Sequence, residues 1–355
     1  MGVPAGDGNQ DQFAGGRGRL QRGRATLTAI REQGIAILAA IRIGDGTMSA
    51  RRSAPQRFLL AIVAMSFVAS THSIHAQQCL MAHNPGALKA LQEKAAAGDV
   101  DAECGLGKQY EHALGVPQDN AQAVLWLRKA AEQGNVAAQV ELDVVFDNMQ
   151  EYAQAFTWYS KAAEQGNARG EYNLGLCYLN GESVPKDSSR ALELFRKAAD
   201  QDDPLAQHEL GVMYQDGVGV RQDYAQAADY FRKSAIQGFA ESQYGLGFLY
   251  LNGNGVPKDE AQATAWMLKA AEQGETKAQF NLGSCYVNGA GVNRDLSEGY
   301  FWMLLARSRT SDSGLRAYAE TSLEALTRAM KKSDVKSAQK RAQAWLKEHP
   351  AMADE

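Results

Sequence analysis

One phrase recurs along this chain and limits what it can fold into. Lys-Ala-Ala-Glu-Gln-Gly stands at 129–134, 161–166 and 269–274. A second phrase, Leu-Gly followed by Tyr, recurs at Leu106/Tyr110, Leu174/Tyr178, Leu210/Tyr214, Leu246/Tyr250 and Leu282/Tyr286. The leucines lie 68, 36, 36 and 36 residues apart. The long interval holds one extra unit of 32 residues, with Leu142 and Phe146 in the two columns. Six units result, at 99–134, 135–166, 167–202, 203–238, 239–274 and 275–310. A period of this size means a stack of like supersecondary units, none of which buries its apolar face alone.

Each unit reads as two helices. The first carries a small residue, a leucine four later and a tyrosine eight later, as in Ala206, Leu210 and Tyr214. That spacing puts all three on one face. Gly211, Gly247 and Gly283 allow close helix approach, and Asn-Gly or Asp-Gly pairs such as Asp216-Gly217 end the helix. The second helix begins at a regular aspartate (Asp119, Asp187, Asp223, Asp259, Asp295), a strong N-cap. An alanine column follows, then an aromatic one: Trp126, Trp158, Tyr230, Trp266 and Trp302, with Leu194 in unit three. Lysines fall near the helix end, where positive charge suits the dipole. Unit two lacks four residues of its loop and has Asp143 in the glycine column, so a tighter turn is expected there. No segment of the repeats reads as a strand.

These elements resemble the Sel1-like repeat, a relative of the tetratricopeptide repeat. The resemblance spans about 210 residues and implies an all-α fold, a right-handed α-solenoid of about six helix-turn-helix units with capping helices. Residues 77–98 would form the N-terminal cap, 99–310 the six repeats, and 311–355 the C-terminal cap, with helices over 315–330 and 334–347.

The first 76 residues have another character. Residues 1–47 are Lys-free and low in complexity around Gly15–Arg24, and read as a disordered leader or an upstream mis-start. Met48 opens a secretory pattern over 48–76: Arg51, Arg52 and Arg57, then the apolar run Phe58–Ala69, then a small and polar stretch ending at Ala76. Twelve apolar residues are too few to span a bilayer. A periplasmic or secreted protein starting near Gln77 is expected, with no stable membrane insertion after cleavage.

Charge then matters. The whole chain carries 37 Lys+Arg against 41 Asp+Glu, a net −4. From Gln77 onward the counts are 28 and 37, a net −9. An acidic chain argues against nucleic acid, which wants clustered excess Lys/Arg, and against an anionic membrane.

Few residues invite chemistry. Gly-x-Gly occurs at Gly217–Gly219, Gly253–Gly255 and Gly289–Gly291, always after a helix and at one repeat position, so these are turn glycines rather than a phosphate cradle. No histidine spacing resembles a metal site, and none pairs with a nucleophile. No catalytic, cofactor or metal residues are assigned, no cofactor is expected, and the chain is read as non-enzymatic. Cys177 and Cys285 share a column three units apart, beyond disulfide reach, and read as buried thiols. Cys79 and Cys104 lie near one end, and an exported setting permits a Cys79–Cys104 bridge pinning the N-terminal cap.

A partner would meet the first helices, which line the concave side of such a solenoid. With the alanine column as zero, positions two and six lie about 200° and 240° around the helix, away from the core face. They hold Tyr172, Leu176, His208, Val212, Tyr244, Phe248 and Phe280, an apolar and aromatic strip suited to a protein or peptide. The family resemblance implies a scaffold or adaptor of this kind, its partner's identity unknown. The alternative is an inhibitor or regulator of a cell-envelope enzyme, or a wall-glycan or β-lactam binder. Secreted relatives linked to β-lactams carry paired cysteines in each repeat, which this chain lacks.

Overall fold

The computed structural model describes residues 85–349. The expected leader, the expected secretory segment and Cys79 fall outside the described residues. Every element among the described residues is helical, fifteen helices with no strand. The chain divides into two compact units.

The first unit contains α1 (Pro85–Ala96), α2 (Val100–Glu111), α3 (Asn120–Glu132), α4 (Val136–Asn148), α5 (Tyr152–Glu164) and most of α6 (Ala168–Asn180). The second contains α7 (Ser188–Asp200), α8 (Pro204–Asp216), α9 (Tyr224–Ile236), α10 (Ala240–Asn252), α11 (Glu260–Glu272), α12 (Thr276–Asn288), α13 (Leu296–Arg309), α14 (Ser313–Ala329) and α15 (Lys332–Glu348). Within each unit the main packing is between helices consecutive in sequence, with α13 also carrying α15.

Local chemistry sets these boundaries. All five regular aspartates cap second helices, each carboxylate accepting backbone N–H groups of the first turn. Gly181, Gly217, Gly253 and Gly289 close first helices in the left-handed conformation. In the second repeat only Met149–Glu151 separates α4 from α5, and Glu151 makes no side-chain cap.

Two close approaches explain the remaining glycine columns. A Cβ on Gly283 would lie 2.9 Å from the carbonyl of Gly299, so α12 and α13 meet backbone to backbone. The second glycine of each Gly-x-Gly packs on the start of the preceding second helix. A Cβ on Gly255 would stand 2.2 Å from the carbonyl carbon of Tyr224, and one on Gly291 2.0 Å from the carbonyl oxygen of Glu260. These loops therefore bind repeat to repeat.

The core follows the columns. Leu106 and Leu142 in the first unit, and Leu210, Leu246 and Leu282 in the second, are almost fully buried. Beside them runs a polar ladder. Gln207 and Gln243 donate to the carbonyls of Ala199 and Ala235 on the preceding second helix. Each then accepts from the glutamine ending the next second helix, Gln237 at 2.9 Å and Gln273 at 2.8 Å. Gln139 does the same in the first unit, donating to Ala131 and accepting from Gln165. The buried glutamine of each first helix is thus a register clamp, closed from outside by the exposed glutamine that ends the second helix.

Candidate functional site: the first-helix face

In the second unit the strip is carried by α8, α10 and α12. Spacings of four put His208 with Val212 and Tyr244 with Phe248 on one face each, and Phe280 holds the same column on α12. Phe248 is 38% exposed and is one of the few large apolar side chains open to solvent. His208, Val212, Tyr244 and Phe280 are half-buried. The Tyr244 ring stands 6.3 Å from Phe248, and Phe280 packs into the same cluster with Leu251 and Val287.

Hydrogen bonds fix this face from helix to helix. The Tyr244 hydroxyl accepts from the Asn281 amide at 3.1 Å, tying α10 to α12. Burial, and then the carboxylate of Glu275, push the Tyr244 phenol up to about 12, with Asn281 acting the other way. His208 Nδ1 lies 2.9 Å from Ser242 Oγ, tying α8 to α10. Ser242 donates to Ser234, and Ser234 donates to the Pro204 carbonyl. A carbonyl only accepts, so each hydroxyl passes its proton toward Pro204. Ser242 must then accept from His208, and Nδ1 carries the imidazole proton. The ring is held 5.6 Å from Phe231 and 5.1 Å from Phe239.

The first unit behaves differently. Tyr172 and Leu176 are only 3% and 4% exposed. The expectation of an open face fails there because α6 is buried at every position from Gly170 to Cys177. An angle on the helical wheel locates a face but does not say what covers it. Cys104, at position two of the first repeat, is buried, as are Cys177 and Cys285. Burial raises the Cys104 and Cys285 pKa values, the latter to about 11, so neither favours the reactive thiolate. Pairing of Cys104 with Cys79 lies outside the described residues.

Packing of α2 with α4 also gathers a polar group that spacing does not reveal. Donor atoms of Glu111, His112 and Glu141 lie within 4.8 Å of one another. A cation already serves them, because Lys108 Nζ stands 2.6 Å from Glu141. Burial opposes the Lys108 charge, but Glu141 outweighs it, with help from Glu111, and the ammonium pKa is raised. Lys108 and Glu141 thus form an ion pair at the edge of this group.

The family pattern of the Sel1 repeat matches residues 100–135, 149–167, 168–203, 204–239, 240–275 and 276–310. The chain belongs to the Sel1 repeat family. The unmatched stretch between the first two copies covers α4, where unit two lost its loop. No curated protein matches the chain. Among solved structures it is similar to c5321, a protective antigen of uropathogenic Escherichia coli displaying an SLR fold. Identity there is 32%, with 74% of this chain and 56% of that chain covered, and a TM-score of 0.69. It is also similar to a Sel1 repeat protein from Oxalobacter formigenes, at 30% identity, 63% and 94% coverage and a TM-score of 0.59. The chain spans little more than half the length of the first of these. The fold is therefore an all-α Sel1 repeat solenoid.

Proposed function

We propose that this chain is an exported, non-enzymatic adaptor that holds a protein or peptide on the first-helix face of its second unit. The observation that supports this most is the strip itself. Phe248, Tyr244, Phe280, Val212 and His208 put apolar and aromatic surface where a repeat protein meets its partner, with Phe248 open to solvent. Aromatic side chains fixed by neighbouring hydrogen bonds lose little entropy on binding, which makes them good anchors. The secretory pattern over 48–76 supports a periplasmic or secreted location, and the net charge of −9 from Gln77 onward favours a basic or apolar peptide.

The test is capture from envelope extract by the parent and by a Phe248→Ala/Phe280→Ala variant. Partner recovery should fall by at least about tenfold, as for a pair of aromatic hot spots. The far-ultraviolet dichroism should not change. Equal recovery by the two proteins would remove the strip from the binding face. N-terminal sequencing of exported protein tests location separately, with a start near Gln77 expected.

A further inference from the structure

The charge of the chain is unevenly distributed, and the last helix reverses it. Counted from Gln77 the protein carries a net −9, yet α15 has five basic residues against two acidic ones. Lys332, Lys336 and Lys340 follow one another at spacings of four. Lys347 falls between Lys336 and Lys340 in angle, so all four lysines lie within an arc of about 80°. Val335, Ala338 and Ala342 turn the opposite side into the core against α13. All four lysines are exposed.

Three arginines of this region are engaged. Arg341 pairs with Glu298 at 2.7 Å, Arg328 pairs with Glu324, and Arg309 stacks over Trp345. None of the four lysines is paired with a carboxylate among the described residues. An acidic protein that leaves four aligned lysines uncompensated carries a local field opposite in sign to its whole. The row is straight and about 22 Å long, at 1.5 Å per residue. Its five exposed positions hold four lysines and Gln343, with no aromatic side chain to shape a pocket. Such a row suits a flat and delocalised anionic surface better than an acidic peptide of defined shape.

We propose that the lysine row of α15 docks this chain on an anionic phospholipid surface. The contact is electrostatic and peripheral. Each lysine near such a surface is worth roughly a fivefold gain in partition at low salt, and the effect dies within a screening length.

The experiment uses the full chain with vesicles of phosphatidylglycerol or of phosphatidylcholine. Accessible lysines are acetylated and read by mass mapping, which reports α15 separately from the arginine-rich leader. Lys332, Lys336, Lys340 and Lys347 should lose at least about fivefold in reactivity with phosphatidylglycerol relative to phosphatidylcholine. Lys197, Lys233 and Lys269 should not change. The protection should vanish at roughly 0.5 M salt, where screening is short. A Lys332→Gln/Lys340→Gln variant, checked for unchanged helicity, should lose the protection at Lys336 and Lys347. Equal reactivity on both lipids would overturn the proposal. So would protection by soluble polyglutamate without protection by vesicles, which would mark an acidic protein as the occupant.

Discussion

Gln243 shows how much a single side chain carries here, and why it is hard to see in the sequence. A glutamine beside an alanine column reads as surface, yet Gln243 is 4% exposed and joins three helices. Only the structure shows that the glutamine of Glu-Gln-Gly reaches back to the buried glutamine of its own repeat's first helix. Arg309 stands in that glutamine column in the last repeat. There the ladder breaks, leaving the Gln279 carbonyl and the Arg309 Nε and Nη2 without hydrogen-bond partners. Tyr244 gives the sharpest prediction at this scale. The fold prefers its neutral phenol, whose pKa rises from 10 to about 12. Stability from this group is intact below pH 10 and falls as pH climbs through 12, because the unfolded chain releases the proton first. The loss is on the order of 2 kcal/mol. Cys285, pushed up to about 11, loses stability in the same direction over a lower range. In urea melts between pH 9 and 12, Tyr244→Phe should flatten the upper part of the decline and leave the Cys285 part. An unchanged slope would show that the phenol does not titrate with folding.

Helices and turns were the most legible level, because their boundaries are written in residues with one conformational role. Aspartates start second helices and glycines end first helices, as their chemistry requires. The strip on the first helices was only half legible. Spacings of four do put its side chains on shared faces, but the burial of Tyr172 and Leu176 depends on neighbours that an angle cannot reveal. The Glu111, His112 and Glu141 group was not legible, since α2 and α4 bring it together from 29 residues apart or more. The turns offer a test with two glycines. Gly238 has φ +95° and open space around it, whereas Gly255 has φ +68° and the Tyr224 backbone in its way. Gly238→Ala should cost about 1 kcal/mol, the strain of a left-handed alanine alone. Gly255→Ala must also move a neighbouring helix start, and should cost about 3 kcal/mol or more in chemical denaturation. Equal losses would mean that the loop does not bind repeat to repeat.

At the scale of the molecule, a protein whose packing runs between consecutive helices should tolerate the loss of a whole period and no other length. Residues 204–239 form one such period in the second unit. Removing them joins Asp203 to Ala240 and brings α7 onto α10. Phe195 then stands where Phe231 stood, beside Gly245, which now lies 3.2 Å from that ring once given a Cβ. Ala199 replaces Ala235 as the carbonyl that accepts from Gln243, and Arg196 replaces Arg232 beside the Tyr250 hydroxyl. Only the chain from Ser242 through Ser234 to Pro204 is lost, because Ala198 has no hydroxyl to continue it. The shortened protein should fold cooperatively, with a denaturant slope reduced roughly in proportion to the residues removed. Its stability should drop by a few kcal/mol, from one lost interface and the orphaned Ser242. Removing only 204–221, half a period, leaves α9 to follow α7 directly. A second helix then meets a second helix, and the alanine and leucine columns have no glycine-lined partner. That protein should lose the cooperative transition. If both deletions fold alike, the 36-residue period is a record of descent and not the unit of stability.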